Sequence, residues 1–85
     1  MQVSFRVDYT EDDCDRIHVV YFDDDLKGAQ SKARSLSRRA NIGTAYVIRS
    51  ERDASDAPFE DTGHYVYISG RLHYTDGRLT FEGAA

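Results

Sequence analysis

From Val3 to Tyr9 the odd positions are apolar and the even ones polar (VSFRVDY), the two-residue period of a strand with one buried face. Arg16 to Phe22 is denser in β-branched and aromatic residues. Ile17, Val19 and Tyr21 fall on one side and His18, Val20 and Phe22 on the other, which predicts a second strand covered on both faces and central in its sheet. The six residues Thr10 to Asp15 between them suit an antiparallel hairpin.

Leu26, Ala29, Ala33, Leu36 and Ala40 then recur at spacings of three and four, one narrow stripe of a helix. Asp23 to Asp25 supply a cap and complement the positive end of the dipole, Arg38 and Arg39 suit the negative end, and Asn41 or Gly43 can terminate it. A helix over Asp25 to Ala40 is about 24 Å long, a match to a seven-residue strand. Its alanine stripe allows close approach to a sheet.

A short strand is expected within Gly43 to Ser50. From His64 to Thr75 the even positions Val66, Ile68, Leu72 and Tyr74 are apolar while Tyr65, Tyr67, Arg71 and His73 take the other side. This predicts one long strand, with Gly70 a bulge or bend. Asp76-Gly77 is a two-residue hairpin turn that sets Tyr74 opposite Leu79 and Leu72 opposite Phe81. The stretch from Arg52 to Gly63, with four acids, Pro58 and neither apolar period, is expected to be a mobile loop.

These elements predict one α+β domain over residues 1–85: a single antiparallel β-sheet with one α-helix packed on one face, in ββαβββ order, the other face open. The 85 residues leave room for one core, and 40% apolar content with ten aromatics is enough to form it. The alternating pattern begins at Val3, no run approaches membrane-spanning length, and Cys14 is the single cysteine. Those features fit a cytoplasmic protein without disulfides or a thiolate metal site.

Charge is segregated along the chain. Residues 1–25 hold eight acids and two bases, residues 26–52 one acid and seven bases, and residues 53–85 six acids and two bases, within a net charge of -4. A basic ridge between acidic ends bears on the choice of partner and on association rate.

Catalytic chemistry finds no constellation. His18, His64 and His73 lack a serine, cysteine or carboxylate at a recognised spacing, and the acidic surroundings of Cys14 do nothing to lower its thiol pKa. The run Glu11-Asp12-Asp13-Cys14-Asp15 lacks the glycine and distal glutamate of a calcium loop, and a strand of seven residues holds it roughly 20 Å from Asp23 to Asp25. The glycines are scattered singly, which excludes a phosphate-cradling loop. No cofactor or metal is implied.

Binding is better represented. The open face is expected to offer Arg6, Tyr65, Tyr67, Arg71 and His73, with Tyr46, a mixture of aromatic surface and positive charge common at protein interfaces and on single-strand platforms. Lys27, Arg34, Arg38 and Arg39 form a basic helix face suited to phosphates, or simply the solvated side of an amphipathic helix. An open sheet edge would also permit a homodimer by strand pairing.

The leading hairpin, the alanine-rich helix and the closing Leu72-His73-Tyr74-Thr75-Asp76-Gly77-Arg78-Leu79-Thr80-Phe81 hairpin, in a small acidic chain, resemble phage-encoded anti-defence proteins, including anti-CRISPR inhibitors. The resemblance spans the chain through architecture and charge. It implies a non-enzymatic inhibitor of a bacterial nucleoprotein. Asp8, Glu11, Asp12, Asp13, Asp15 and Asp23, Asp24 and Asp25 would then stand where the target expects phosphates. The basic helix departs from that pattern and supports the alternative, a small nucleic-acid-binding module.

Overall fold

The computed structural model describes residues 2–12 and 15–75, together with the backbone of 78–79. Strand β1 (Gln2–Tyr9) keeps its predicted alternation: Phe5 and Val7 are buried, with Val3 and Tyr9 packed around them. β2 (His18–Tyr21) returns beside it, with Val7 opposite Val20 and Tyr9 opposite His18. Helix α1 (Leu26–Ser37) follows, capped by Asp25, whose carboxylate accepts the Gly28 N–H at 2.9 Å. It is shorter than the stripe predicted because the last turn tightens. Arg38 and Arg39 donate back to Ser35 and Leu36, and Gly43 reverses the chain at φ +74.

β3 (Thr44–Arg52), β4 (Glu60–Ile68), β5 (Arg71–Thr75) and the two-residue β6 (Arg78–Leu79) complete an antiparallel sheet in the order β2-β1-β3-β4-β5-β6. The helix lies across β3, β1 and β4 on one face. The fully buried Ala29 and Ala33 let it sit close to Val7, Ala45 and Val47, and Leu36, Ile42 and Tyr67 close the core. The α+β class and the helix-on-one-face architecture are as the sequence predicts. Among the described residues no helix is long and apolar enough to cross a membrane.

Four expectations are corrected. β2 is an edge strand, since its apolar residues on one side, Val19 and Tyr21, face solvent. The stretch from His64 to Thr75 is two strands. Ser69 and Gly70 both have positive φ (51° and 83°), the signature of a tight hairpin turn, and Ile68 pairs with Arg71 across it. That turn is fixed to the helix end: the Ser69 N–H reaches the Gly43 carbonyl at 3.0 Å and the Gly70 N–H reaches the buried Ser37 Oγ at 2.8 Å. The expected loop over residues 52–63 contracts to 53–59, because β3 runs through Arg52 and β4 begins at Glu60.

The fourth correction concerns faces. Tyr65 pairs with Val47 and Tyr67 with Ala45, so both rings point toward the helix rather than to the open side. The small helix stripe leaves room for them. The register shifts twice, beside Arg49/Ser50, where β4 carries the extra residue Thr62, and beside Val66/Tyr67, where β5 carries the extra residue His73. From Gly63 to Ile68 the alternation of β4 is intact with its faces reversed from the expectation, and in β5 Leu72 and Tyr74 fall on opposite faces. At the far edge Tyr74 does face Leu79, whereas Asp76-Gly77 and Phe81 lie outside the described residues.

Candidate functional site

Strand register assigns the face away from the helix to Arg6 and Asp8 of β1, Val19 and Tyr21 of β2, Tyr46 and Ile48 of β3, Val66 and Ile68 of β4, and Arg71 and Tyr74 of β5. Several are large apolar groups left in water. Tyr21 is 73% exposed and Ile17, just before β2, 61%, with Val19, Tyr46 and Tyr74 at about 40%. A shallow apolar hollow of about 170 Å³ lies between Asp8, Tyr9, Ile17, Tyr46 and Ile48. A wider one of about 330 Å³ lies between Ser4, Arg6, Tyr21, Ser50 and Phe59. Exposed aliphatic and aromatic side chains gathered on one face mark an interaction surface more strongly than the same residues scattered singly.

Arg6 anchors the polar part of this face. Its Nε donates to Asp8 at 3.1 Å, its two terminal nitrogens grip both Asp61 oxygens at 3.0 and 3.1 Å, and Nη1 also donates to Ser50 Oγ at 3.2 Å. Ser50 in turn donates to Asp61 at 2.8 Å. This bidentate fork raises the pKa of Arg6, chiefly through the hydrogen bond to Asp61, against the opposing effect of burial. Asp61 is held below the usual carboxylate range by the Arg6 hydrogen bond first and the Ser50 hydroxyl second. Because the folded carboxyl titrates below its unfolded value, its stabilising effect is complete above the unfolded pKa of about 4 and is lost as pH falls through the folded one. Asp61 is 58% exposed, so screening keeps the contribution at or below about 1 kcal/mol. Asp61→Asn is expected to flatten the acid limb below about pH 4 in a pH series of thermal melts while leaving its slope near neutrality unchanged.

The acids expected to bind a partner fall into separate groups. Asp8 is engaged by Arg6 on the open face. Glu11, Asp12 and Asp15 sit in the β1–β2 connection at one end of the sheet, where Glu11 lies 3.9 Å from His18 and the Asp12 N–H donates to the Asn41 carbonyl. Asp13 is outside the described residues. Asp23, Asp24 and Asp25 precede the helix at the opposite end, beside the β3–β4 connection with Asp53 and Asp56. Asp25 is committed to its cap. Arg71 is exposed on the open face, whereas Tyr65 and Tyr67 belong to the core.

The basic helix is partly absorbed by the fold. Arg34 stands 5.4 Å over the Tyr67 ring, and the Arg38 stem packs where a side chain at Gly70 would sit. Lys27, Arg38 and Arg39 are exposed, on the layer opposite the open face. His18 stacks on Tyr9 at 5.1 Å, a packing role. Among the described residues no group of three His, Cys, Asp or Glu is placed to hold a metal.

Sequence reasoning missed Ile17, Val19, Tyr21, Ile48 and Tyr74 as surface. The available signal was the two-sided apolar pattern of Arg16 to Phe22, which fits an edge strand with a sticky face as well as a central strand. Comparison with protein-family models, curated proteins and solved structures found no match.

Proposed function

We propose that this chain is a non-enzymatic interaction module acting in the cytoplasm, an inhibitor of the phage anti-defence kind. It would cover a basic nucleic-acid-binding surface on a larger bacterial protein or nucleoprotein. The observation that supports this is the open face itself. Ile17, Val19, Tyr21, Tyr46 and Tyr74 are exposed together, between a β1–β2 connection carrying Glu11, Asp12 and Asp15 and a far end carrying Asp23 and Asp24. An aromatic and aliphatic centre with an acidic rim is complementary to a surface where lysines and arginines surround apolar ground. The rim would speed encounter and the tyrosines would supply most of the affinity.

The test is a tagged pull-down from bacterial lysate, with and without nuclease, washed at rising salt, followed by titration of the captured partner. A protein that survives nuclease is expected. Tyr21→Ala with Tyr46→Ala should weaken it at least thirtyfold, as loss of about 2 kcal/mol at a hot spot requires, and reversing Asp12, Asp15 and Asp24 to lysine should slow association. Arg38→Glu with Arg39→Glu should have little effect. Recovery of nucleic acid alone, lost steeply with salt and abolished by the Arg38 and Arg39 reversals, would replace this reading with that of a small nucleic-acid-binding domain.

A further inference from the structure

We infer that a second copy of this chain docks on the outer edge of β2, pairing His18–Tyr21 antiparallel with itself about a twofold axis at Val20. Main-chain direction is the first ground. Phe5 exchanges backbone hydrogen bonds with the Phe22–Asp23 segment, and the register continues through Val7 with Val20 and Tyr9 with His18. In an antiparallel ladder hydrogen-bonded and non-bonded pairs alternate, so His18 and Val20 face β1 and the N–H and C=O groups of Val19 and Tyr21 point outward. Those outward groups have no backbone partner among the described residues.

The edge is also self-complementary. With Val20 on the axis, Val19 of each copy lies opposite Tyr21 of the other in a hydrogen-bonded pair. Its β-branched and aromatic side chains, exposed at 40% and 73%, meet on the open face. Val20 meets its own copy on the helix side. The same register carries the exposed Arg16 of each chain to the Asp23-Asp24 turn of the other, a charge match made twice by symmetry. Apart from the shortness of the four-residue β2, the usual edge protections are missing: residues 17–21 contain no lysine, proline or glycine, and β2 packs mainly on β1.

The twofold axis is perpendicular to the sheet, so both helices lie on one side and the two open faces join into one platform on the other. An interface of this length is small, so weak association, visible only at high protein concentration, is expected. The inference concerns self-association and stands whether or not the inhibitor reading holds.

Sedimentation equilibrium of the intact chain over a concentration series reaching the millimolar range tests it. The average mass should climb from 9.7 kDa toward twice that value. Val19→Lys with Tyr21→Lys should weaken association at least tenfold without loss of the far-ultraviolet circular dichroism of the fold. Arg16→Asp and Asp24→Arg should each weaken it severalfold and together restore it. A species of 9.7 kDa at every concentration overturns the inference, as does a dimer that the lysine pair leaves intact, and failure of the double reversal to recover overturns the register.

Discussion

Truncating Tyr67 to alanine is expected to destabilise the protein by about 3–5 kcal/mol, the range for removing a large buried aromatic. Tyr67 is 1% exposed, lies between Ala45 and Leu72 on the helix side of the sheet, and has the Arg34 guanidinium over its ring. It is the largest fully buried side chain among the described residues. No neighbour can fill the space, because the helix facing it presents alanines whose backbone is already close. A domain of this size has a total stability on the order of 5–10 kcal/mol, so the variant would be near the edge of folding at 37 °C. Thermal melts should show the midpoint falling by roughly 15–30 °C. Tyr46→Ala, on the open face, should cost clearly less, about 1 kcal/mol, since its side chain is already 42% exposed. Equal losses at the two positions would mean that the faces of the sheet at β3 and β4 are assigned wrongly.

That contrast between two tyrosines shows how far local pattern carries. β1 was legible because Phe5 and Val7 alternate with Arg6 and Asp8 without interruption. The helix was legible because Ala29, Ala33 and Leu36 share a stripe preceded by Asp25. The pairing of Tyr74 with Leu79 followed from a turn dipeptide. β4 was not legible for two reasons. The extra residue opposite Val66/Tyr67, His73, puts Leu72 and Tyr74 of β5 on opposite faces and so breaks the single alternating run that fixed the expected faces, and tyrosine, with an apolar ring and a polar hydroxyl, is acceptable on either face. The turn at Ser69-Gly70 is not among the strongest hairpin dipeptides, and part of what holds it is tertiary: the Ser37 hydroxyl and the Gly43 carbonyl, both distant in sequence. The Arg6 network has the same origin, since Asp61 is 55 positions away and no spacing rule reaches that far. The candidate surface was partly visible as Tyr46 and Arg71. The rest depended on β2 lying at the edge, a property of strand order.

Gly70→Ala is the substitution that probes the tertiary anchor, and a loss of about 2–4 kcal/mol is expected. Two separate effects add. At φ +83 an L-residue is strained by about 1–2 kcal/mol whatever surrounds it. A Cβ would also stand 2.5 Å from Arg38 Nε and 2.6 Å from its Cγ, so the arginine stem must move off the turn. That stem helps to bury the Gly70 N–H where it meets Ser37 Oγ, and a shift that opens or breaks this bond leaves a buried donor unsatisfied. Gly43 provides the control, because its φ is +74 but nothing lies within 4 Å of the position a Cβ would take. Gly43→Ala should therefore lose the strain alone, about 1–2 kcal/mol, and urea denaturation of the two variants separates strain from packing. A Gly70→Ala midpoint well below that of Gly43→Ala identifies the Arg38–Gly70–Ser37 contact as the lock between the helix end and the β4–β5 turn. Coincident midpoints would mean that the arginine swings into solvent at no cost and that the turn is held by its own backbone conformation.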